Sequence, residues 1–241
     1  MRAARLLVVL LALIALGSVL RMEGGFREQD APSPDEVIGF YKAAGHFIVG
    51  SIKTVSIEDS ATSTVISEFC GFVNSSSPKG VLLLRSFRND GSYESYRVVN
   101  WSGKYAVFRR FLRVNGTVLE NFTDKRPLDR FPDPIISYLQ MGFNGSKILH
   151  AECSQGLCVL NFEKSWSLPS KGHNQTWHVS GRIMVDKMRP VEGRMNFTVR
   201  HATSGRKWME STEVYFEITY GWMRWEACFP GLTSAPTLSD T

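Results

Sequence analysis

The sequence contains none of the short motifs that mark common catalytic centres. It has no G-x-S-x-G nucleophile turn, no H-E-x-x-H helix, no phosphate-binding glycine loop and no G-x-G-x-x-G fingerprint. Its five histidines are scattered, and His173 and His178 are spaced to point to opposite faces of an extended strand. We therefore expect no catalytic residues, no metal site and no cofactor, and we interpret the protein as something other than an enzyme.

An excess of one charge sign is also missing from most of the chain. Three of the 28 Lys and Arg residues precede residue 22, which leaves 25 cationic against 23 acidic residues in the remainder. Such a balance argues against nucleic acid as a partner. The basic cluster Arg109, Arg110 and Arg113 is accordingly interpreted as a solvated strand edge and not as a polyanion site.

The longest uncharged apolar run covers residues 6–20 and follows a basic start. This order is typical of an export signal, although the run is shorter than the ~20 residues of most spanning helices and no A-x-A cleavage site follows it. Residues 1–21 are therefore either a signal peptide or an N-terminal membrane anchor, and residues 22–32 are a tether with little to bury. In both cases we expect an exported protein, extracellular or at the cell surface.

Cysteine is scarce, with four residues, all beyond the leader. An even number in an exported chain suggests two disulfide bonds. Cys153 and Cys158 flank a four-residue hairpin loop and are expected to pair, which leaves Cys70 to pair with Cys228. From loop entropy alone, the short disulfide bond should contribute roughly 2 kcal/mol to stability and the long one roughly 5 kcal/mol. A metal site is the alternative, but no second Cys pair or His stands at ligand spacing.

Asparagine is used in an unusual pattern, because seven of the nine Asn residues begin an N-x-Ser/Thr sequon. Turn formation would explain some of these Asn residues but not the Ser or Thr at the third position. We therefore expect a glycoprotein whose attachment sites face water. The seven sites are Asn74, Asn100, Asn115, Asn121, Asn144, Asn174 and Asn196.

The most regular pattern in the chain is the alternation of apolar and polar residues between Trp177 and Tyr220. Val179, Ile183 and Val185 share one side of the first segment, and the next two segments repeat the pattern. An alternation of period two predicts three antiparallel strands with one apolar face and one solvent-exposed polar face. An Asn-Gly turn at Asn115 and further turn signals predict a second series of hairpins before residue 123.

Two short helices are predicted beside these strands. Ser33, Pro34 and Glu36 form a capping-box pattern that predicts a helix over residues 34–44. Asp133 followed by a proline predicts a second helix over residues 134–141. Polar segments at 123–132 and 163–175 are interpreted as loops, residues 33–230 as a single β-rich domain, and residues 231–241 as a flexible tail.

The order of these elements, together with Val185-Asp186, Pro190-Val191 and the apolar positions Met195 to Val199, resembles the LolA/LolB-like lipoprotein carriers. The resemblance implies a mainly β fold in which a strongly curved antiparallel sheet, or unclosed barrel, wraps its concave face around helices. It also implies a space there for acyl chains. The cysteines, the sequons and the missing lipid-attachment Cys differ from the bacterial carriers and fit an archaeal surface protein better.

Two functions follow as hypotheses. In the first, the protein binds a lipid or a lipid-modified chain against the concave face, because the amphipathic strands offer more apolar surface than two short helices can cover. In the second, it is an adhesion or envelope-assembly domain with a filled core and no ligand. The candidate lining residues, which could equally be core, are Phe108, Leu112, Ile183, Val185, Met195, Phe197, Phe216 and Ile218.

Overall fold

The computed structural model describes residues 31–58, 61–74, 79–127, 133–170, 173–203 and 206–221. The predicted leader, nearly all of the tether, Cys228 and the predicted tail lie outside these ranges. The helices are α1 (Pro34–Ala43), α2 (Pro134–Tyr138) and a π-helix (Leu139–Phe143) that continues α2. The strands are β1 (His46–Glu58), β2 (Ala61–Asn74), β3 (Lys79–Phe87), β4 (Tyr93–Ser102), β5 (Tyr105–Val114), β6 (Thr117–Pro127), β7 (Lys147–Ser154), β8 (Leu157–Ser170), β9 (His173–Asp186), β10 (Arg189–Thr203) and β11 (Lys207–Thr219).

All eleven described strands belong to one antiparallel sheet in the order β6-β5-β4-β3-β2-β1-β11-β10-β9-β8-β7. The chain builds one half outward from β1 to β6, crosses through the helical segment, and returns from β7 to β11 beside β1. Among the described strands, β6 and β7 are the two edges and do not pair with each other, so the sheet is not closed. The predicted fold class, mainly β with an unclosed antiparallel sheet and two short helices, is confirmed.

The sheet must curve, because residues on widely separated strands are buried in the same core. Ala106 on β5 and Leu160 on β8 are both fully buried in one core, although eight strand spacings separate them, about 38 Å in a flat sheet. Helix α1 and the segment α2–π contain ten residues each, which gives each a length of only about 15 Å. We call the face that packs on these helices the inner face and the opposite one the outer face.

Aromatic rings lie flat on this inner face because glycines stand opposite them. Gly193 on β10 pairs directly with Phe216 on β11, and a Cβ atom at Gly193 would come within 2.3 Å of the Phe216 ring. A side chain at this position would therefore push the ring off the sheet. The other directly paired combinations of this kind are Gly50 with Phe69, Gly181 with Phe162, and Gly80 with Trp101.

The described parts of two segments predicted as loops are strand. Strand β6 continues to Pro127, β8 continues to Ser170 and β9 begins at His173, with direct pairs as far as Ser170 and His173. The prediction was wrong because serines and a proline give this region the composition of a loop, whereas pairing with a long neighbouring strand imposes the extended conformation.

The first helix agrees with its prediction and the second differs from it. Ser33 and Glu36 form the predicted capping box at the start of α1. The second helix begins after Asp133 as predicted, but from Leu139 it widens to a π-helix closed by the Asn144 amide, which donates to the Leu139 carbonyl at 2.9 Å. Gly142 lies in this wide turn against the Phe197 ring, a contact that sequence periodicity cannot anticipate.

The disulfide bond between Cys153 and Cys158 forms as predicted, because β7 and β8 place the two residues directly opposite each other, with their Cα atoms 4.0 Å apart. Cys70 is buried on the outer face beside Phe47 and is not a free thiol. Its predicted partner, Cys228, lies outside the described residues, so that pairing stays a prediction.

Candidate functional site: the inner face of the sheet

Six of the eight predicted lining residues lie together in the core. Ile183, Val185, Met195 and Phe216 have no exposed surface, and Phe197 and Ile218 are 1% and 5% exposed. They pack in one cluster with side chains from α1, α2 and the π-helix. This part of the inner face is filled by the protein itself.

The helical segment 134–143 forms the cover of this filled part. Tyr138 packs edge-on against Phe197 with ring centres 5.2 Å apart, and Phe143 packs against Phe162 at 4.9 Å. Lys164 on β8 donates to the carbonyls of Met141 at 3.2 Å and Asn144 at 2.7 Å. The cover is therefore fixed to β8 and β10 by ring contacts and by one lysine.

A buried polar cluster joins the two helices below the cover. The Tyr41 hydroxyl on α1 donates to Asp133 Oδ2 at 2.7 Å, while Asp133 Oδ1 accepts from the amides of Ile135 at 2.8 Å and Ile136 at 3.2 Å. The buried His46 ring lies 4.3 Å from the Tyr41 ring and donates through Nδ1 to the Ala44 carbonyl. Burial raises the pKa of Asp133 and lowers the pKa of His46, because each charged form loses hydration.

The two remaining predicted lining residues, Phe108 and Leu112, lie in a different part of the inner face. Both are on β5 and are half-buried, and Phe108 packs against the edge of the core. Phe122 on the neighbouring edge strand β6 faces the same way and is 43% exposed. Across β4–β6 the apolar surface thus continues beyond the filled core.

Two arginines lie among these apolar residues. Arg97 on β4 pairs directly with Arg110 on β5, and the same row of the inner face continues to Leu84 on one side and Phe122 on the other. The Arg110 guanidinium contacts the Glu120 carboxylate at 3.1 Å. The sequence interpretation of Arg109, Arg110 and Arg113 as one solvated edge was wrong, because β5 is an interior strand and Arg110 points to the inner face.

A row of stacked rings, which we call the aromatic row, lies on the inner face of β8–β11 beyond the cover. Trp166 and Trp177 stack at 5.4 Å, and His201 stacks on Trp208 at 4.5 Å with planes 4° apart. His173 Nε2 lies 3.1 Å from His201 Nδ1. This row was not predicted, because its members come from four strands. The available signal in the sequence was that Trp177 and Trp208 share the parity of the apolar face.

A cleft of about 580 Å³ lies at the opposite end of the inner face. It is bounded by the start of α1, by the β7–β8 turn with its disulfide bond and by the β9–β10 turn, and Val185 is the predicted lining residue that reaches it. Within the described ranges, no group of three His, Cys, Asp or Glu residues is placed to hold a metal ion. No helix in those ranges combines the length and the hydrophobicity needed to cross a membrane.

The sequons share one side of the sheet. Five of them lie in strands, and the alternation of the pairing registers places all five Asn residues on the outer face: Asn74, Asn100, Asn121, Asn174 and Asn196. Asn115 lies in the β5–β6 turn and Asn144 follows the π-helix. All seven are exposed except Asn74, which is half-buried. None of the five in strands points to the inner face.

These features define a class of protein by architecture: an unclosed antiparallel sheet with a partly covered apolar face. No protein-family model and no curated protein matches the chain. Among solved structures, the chain is similar to the ywiB protein from Bacillus subtilis, with 12% identity over 72% of this chain and 92% of that one and a TM-score of 0.23. A DUF1329 family protein from Desulfovibrio piger has 10% identity over 83% and 97% of the two chains and a TM-score of 0.23. Similarities of this size identify no family.

Proposed function

We propose that this is an exported, non-catalytic protein that binds a hydrophobic ligand, a lipid or a lipid-modified chain, against the inner face of its sheet. The observation that carries the proposal is the incomplete cover: the helices fill the inner face around Phe197 and Phe216, whereas Phe108, Leu112 and Phe122 on β5 and β6 are only partly buried or exposed. Contiguous apolar surface that solvent can reach normally marks a binding site or an interface.

The distribution of sequons supports the inner face as the binding side. Glycans are bulky and hydrophilic, so the face that carries them must remain in water. Because the strand sequons all point outward, the inner face is left clear for a ligand. The unclosed sheet wrapped around helices is also the architecture that the resemblance to the LolA/LolB-like carriers implies, and in those carriers the concave face accepts acyl chains.

Ligand uptake by delipidated protein tests the proposal. We expect saturable, micromolar binding of a fluorescent fatty acid, and we expect Leu112→Gln to weaken it, because the amide places a polar group on the apolar inner surface. Tyr105→Gln is the matched control, since Tyr105 is an exposed aromatic residue on the outer face of the same strand. Equal effects of the two substitutions would contradict the proposed location.

A second function is favoured by a specific observation. Six of the eight predicted lining residues are buried among the protein's own side chains, as expected for an adhesion or envelope-assembly domain with a filled core. In that case the delipidated protein would take up no fatty acid and would melt cooperatively at the temperature of the untreated protein. Mass spectrometry of an organic extract of the native protein separates the two functions directly, since only the first yields a stoichiometric lipid.

A further inference from the structure

We propose that Arg97 and Arg110 form the recognition site for the anionic head of the ligand, so that the protein binds a single-chain amphiphile with a carboxylate or phosphate head. This inference rests on the proposed function and adds to it the chemistry of the head group. It concerns the part of the inner face on β4–β6 that the helices leave uncovered.

The first observation is the pairing of two like charges. Arg97 and Arg110 stand directly opposite each other on neighbouring strands, a position that normally brings Cβ atoms to about 5 Å and makes like charges repel. Glu120 pairs with Arg110 at 3.1 Å, but among the described residues Arg97 has no ion-pair partner and its side chain is exposed. An anion between the two guanidinium groups would remove this repulsion.

The second observation is the contrast with two arginines on the outer face of β3 and β5. There Arg85 contacts Glu94 at 3.0 Å and Glu68 at 3.7 Å, and Arg113 contacts Glu94 at 3.5 Å. Both outer arginines thus have a carboxylate partner within the protein, whereas Arg97 on the inner face has none among the described residues. The Nε atoms do not differ in this way, because those of Arg85 and Arg110 are both buried without a hydrogen-bond partner in the described part of the chain.

The third observation is the apolar surface around the two arginines. Leu84 and Phe122 flank them in the same row of the sheet, and Phe108 and Leu112 lie in the rows below and above. A guanidinium group matches the planar, two-oxygen edge of a carboxylate or phosphate. An anionic head placed between the arginines would therefore leave its alkyl chain against apolar side chains, a combination that suits an amphiphile and gives no advantage to a free anion.

Calorimetric titration with chain-matched probes tests this site. We expect dodecyl phosphate, kept below its micellar concentration, to bind more tightly than dodecyl maltoside, and inorganic phosphate to bind weakly. Arg97→Gln should weaken dodecyl phosphate by roughly tenfold or more, the usual value of a hydrogen bond between charged groups, and leave dodecyl maltoside unchanged. Glu120→Gln should strengthen dodecyl phosphate, because it removes the carboxylate that competes for Arg110.

Arg109→Gln is the matched control, because Arg109 precedes Arg110 in sequence but is exposed on the outer face. A thermal melt of each variant checks that the fold is intact. The inference is refuted if Arg97→Gln and Arg109→Gln have the same effect, if the two dodecyl probes bind equally, or if inorganic phosphate binds as tightly as dodecyl phosphate. If neither dodecyl probe binds to the wild-type protein, the proposed function itself fails, which is a distinguishable result.

Discussion

Replacing Phe197 by alanine probes whether the inner face beneath the helices is a packed core. The Phe197 ring is 1% exposed and lies between β10 and the helical cover, where it meets Tyr138 at 5.2 Å and the surface of Gly142. Truncation would remove the ring from contacts on both sides and leave a cavity that a backbone fixed by two neighbouring strands cannot close. Such buried Phe→Ala changes cost about 3–5 kcal/mol.

The adjacent residue provides the control. Asn196 is exposed on the outer face, so Asn196→Gln should change the free energy of unfolding by no more than about 0.5 kcal/mol. For a domain of about 200 residues, the loss at Phe197 corresponds to a fall in melting temperature of about 6–20 °C. Urea unfolding, followed by far-UV circular dichroism and by tryptophan fluorescence with the disulfide bonds intact, measures both variants.

Two results would refute this reasoning. Similar costs at positions 196 and 197 would mean that the two faces of β10 are equally buried, contrary to the pairing registers. A cost at Phe197 below about 1 kcal/mol would mean that the ring lines a space and does not fill a core, because a residue beside a cavity loses few contacts on truncation. The second result would extend the ligand site beneath the helical cover.

Three further predictions concern stability. Burial lowers the pKa of His46, so the unfolded state binds a proton at this residue more readily than the folded state does. The free energy of unfolding should therefore fall as the pH drops below about 6.5, and His46→Phe should make that fall shallower. Identical pH profiles of the wild-type and variant proteins would contradict this prediction. Gly193→Ala should cost about 1–3 kcal/mol in urea unfolding by displacing the Phe216 ring, and a neutral effect would contradict the close packing. Replacing Cys153 and Cys158 together by serine should cost roughly 2 kcal/mol by the same measurement, whereas a much larger loss would show that the hairpin depends on its disulfide bond.

The face of each strand could be predicted well wherever the alternation was strong. Met195, Phe197 and Phe216 were placed on one face from their spacing alone, and the pairing registers agree. The region 163–175 could not be predicted, because Trp166 alternates there with serines and lysine and gives too weak a signal. Its strand conformation comes from fourteen residues of pairing between β8 and β9, an interaction that only the folded chain provides.

The candidate site was predicted in part. Phe108 and Leu112 were selected for their apolar parity, and both lie at the uncovered end of the inner face. Arg97 was not selected, because an isolated arginine in a strand gives no sign of its neighbours. Its position opposite Arg110 depends on the register of β4 against β5, and the aromatic row depends in the same way on four strands meeting side by side.

The sequence by itself determined the local features of this protein: the alternation of the strands, the hairpin turns, the starts of both helices and the Cys153–Cys158 pair. These depend on spacings of a few residues and on capping or turn chemistry, which act before distant segments meet. Only the tertiary structure decided that β1 lies beside β11, where Phe47 pairs with Thr219, and that the helices cover one part of the apolar face and leave the part around Leu112 and Phe122 accessible. Every strand has a similar apolar side, so the pattern of one strand does not specify which strand it pairs with. The pairing is determined by the free energy of burying the apolar sides of all the strands together.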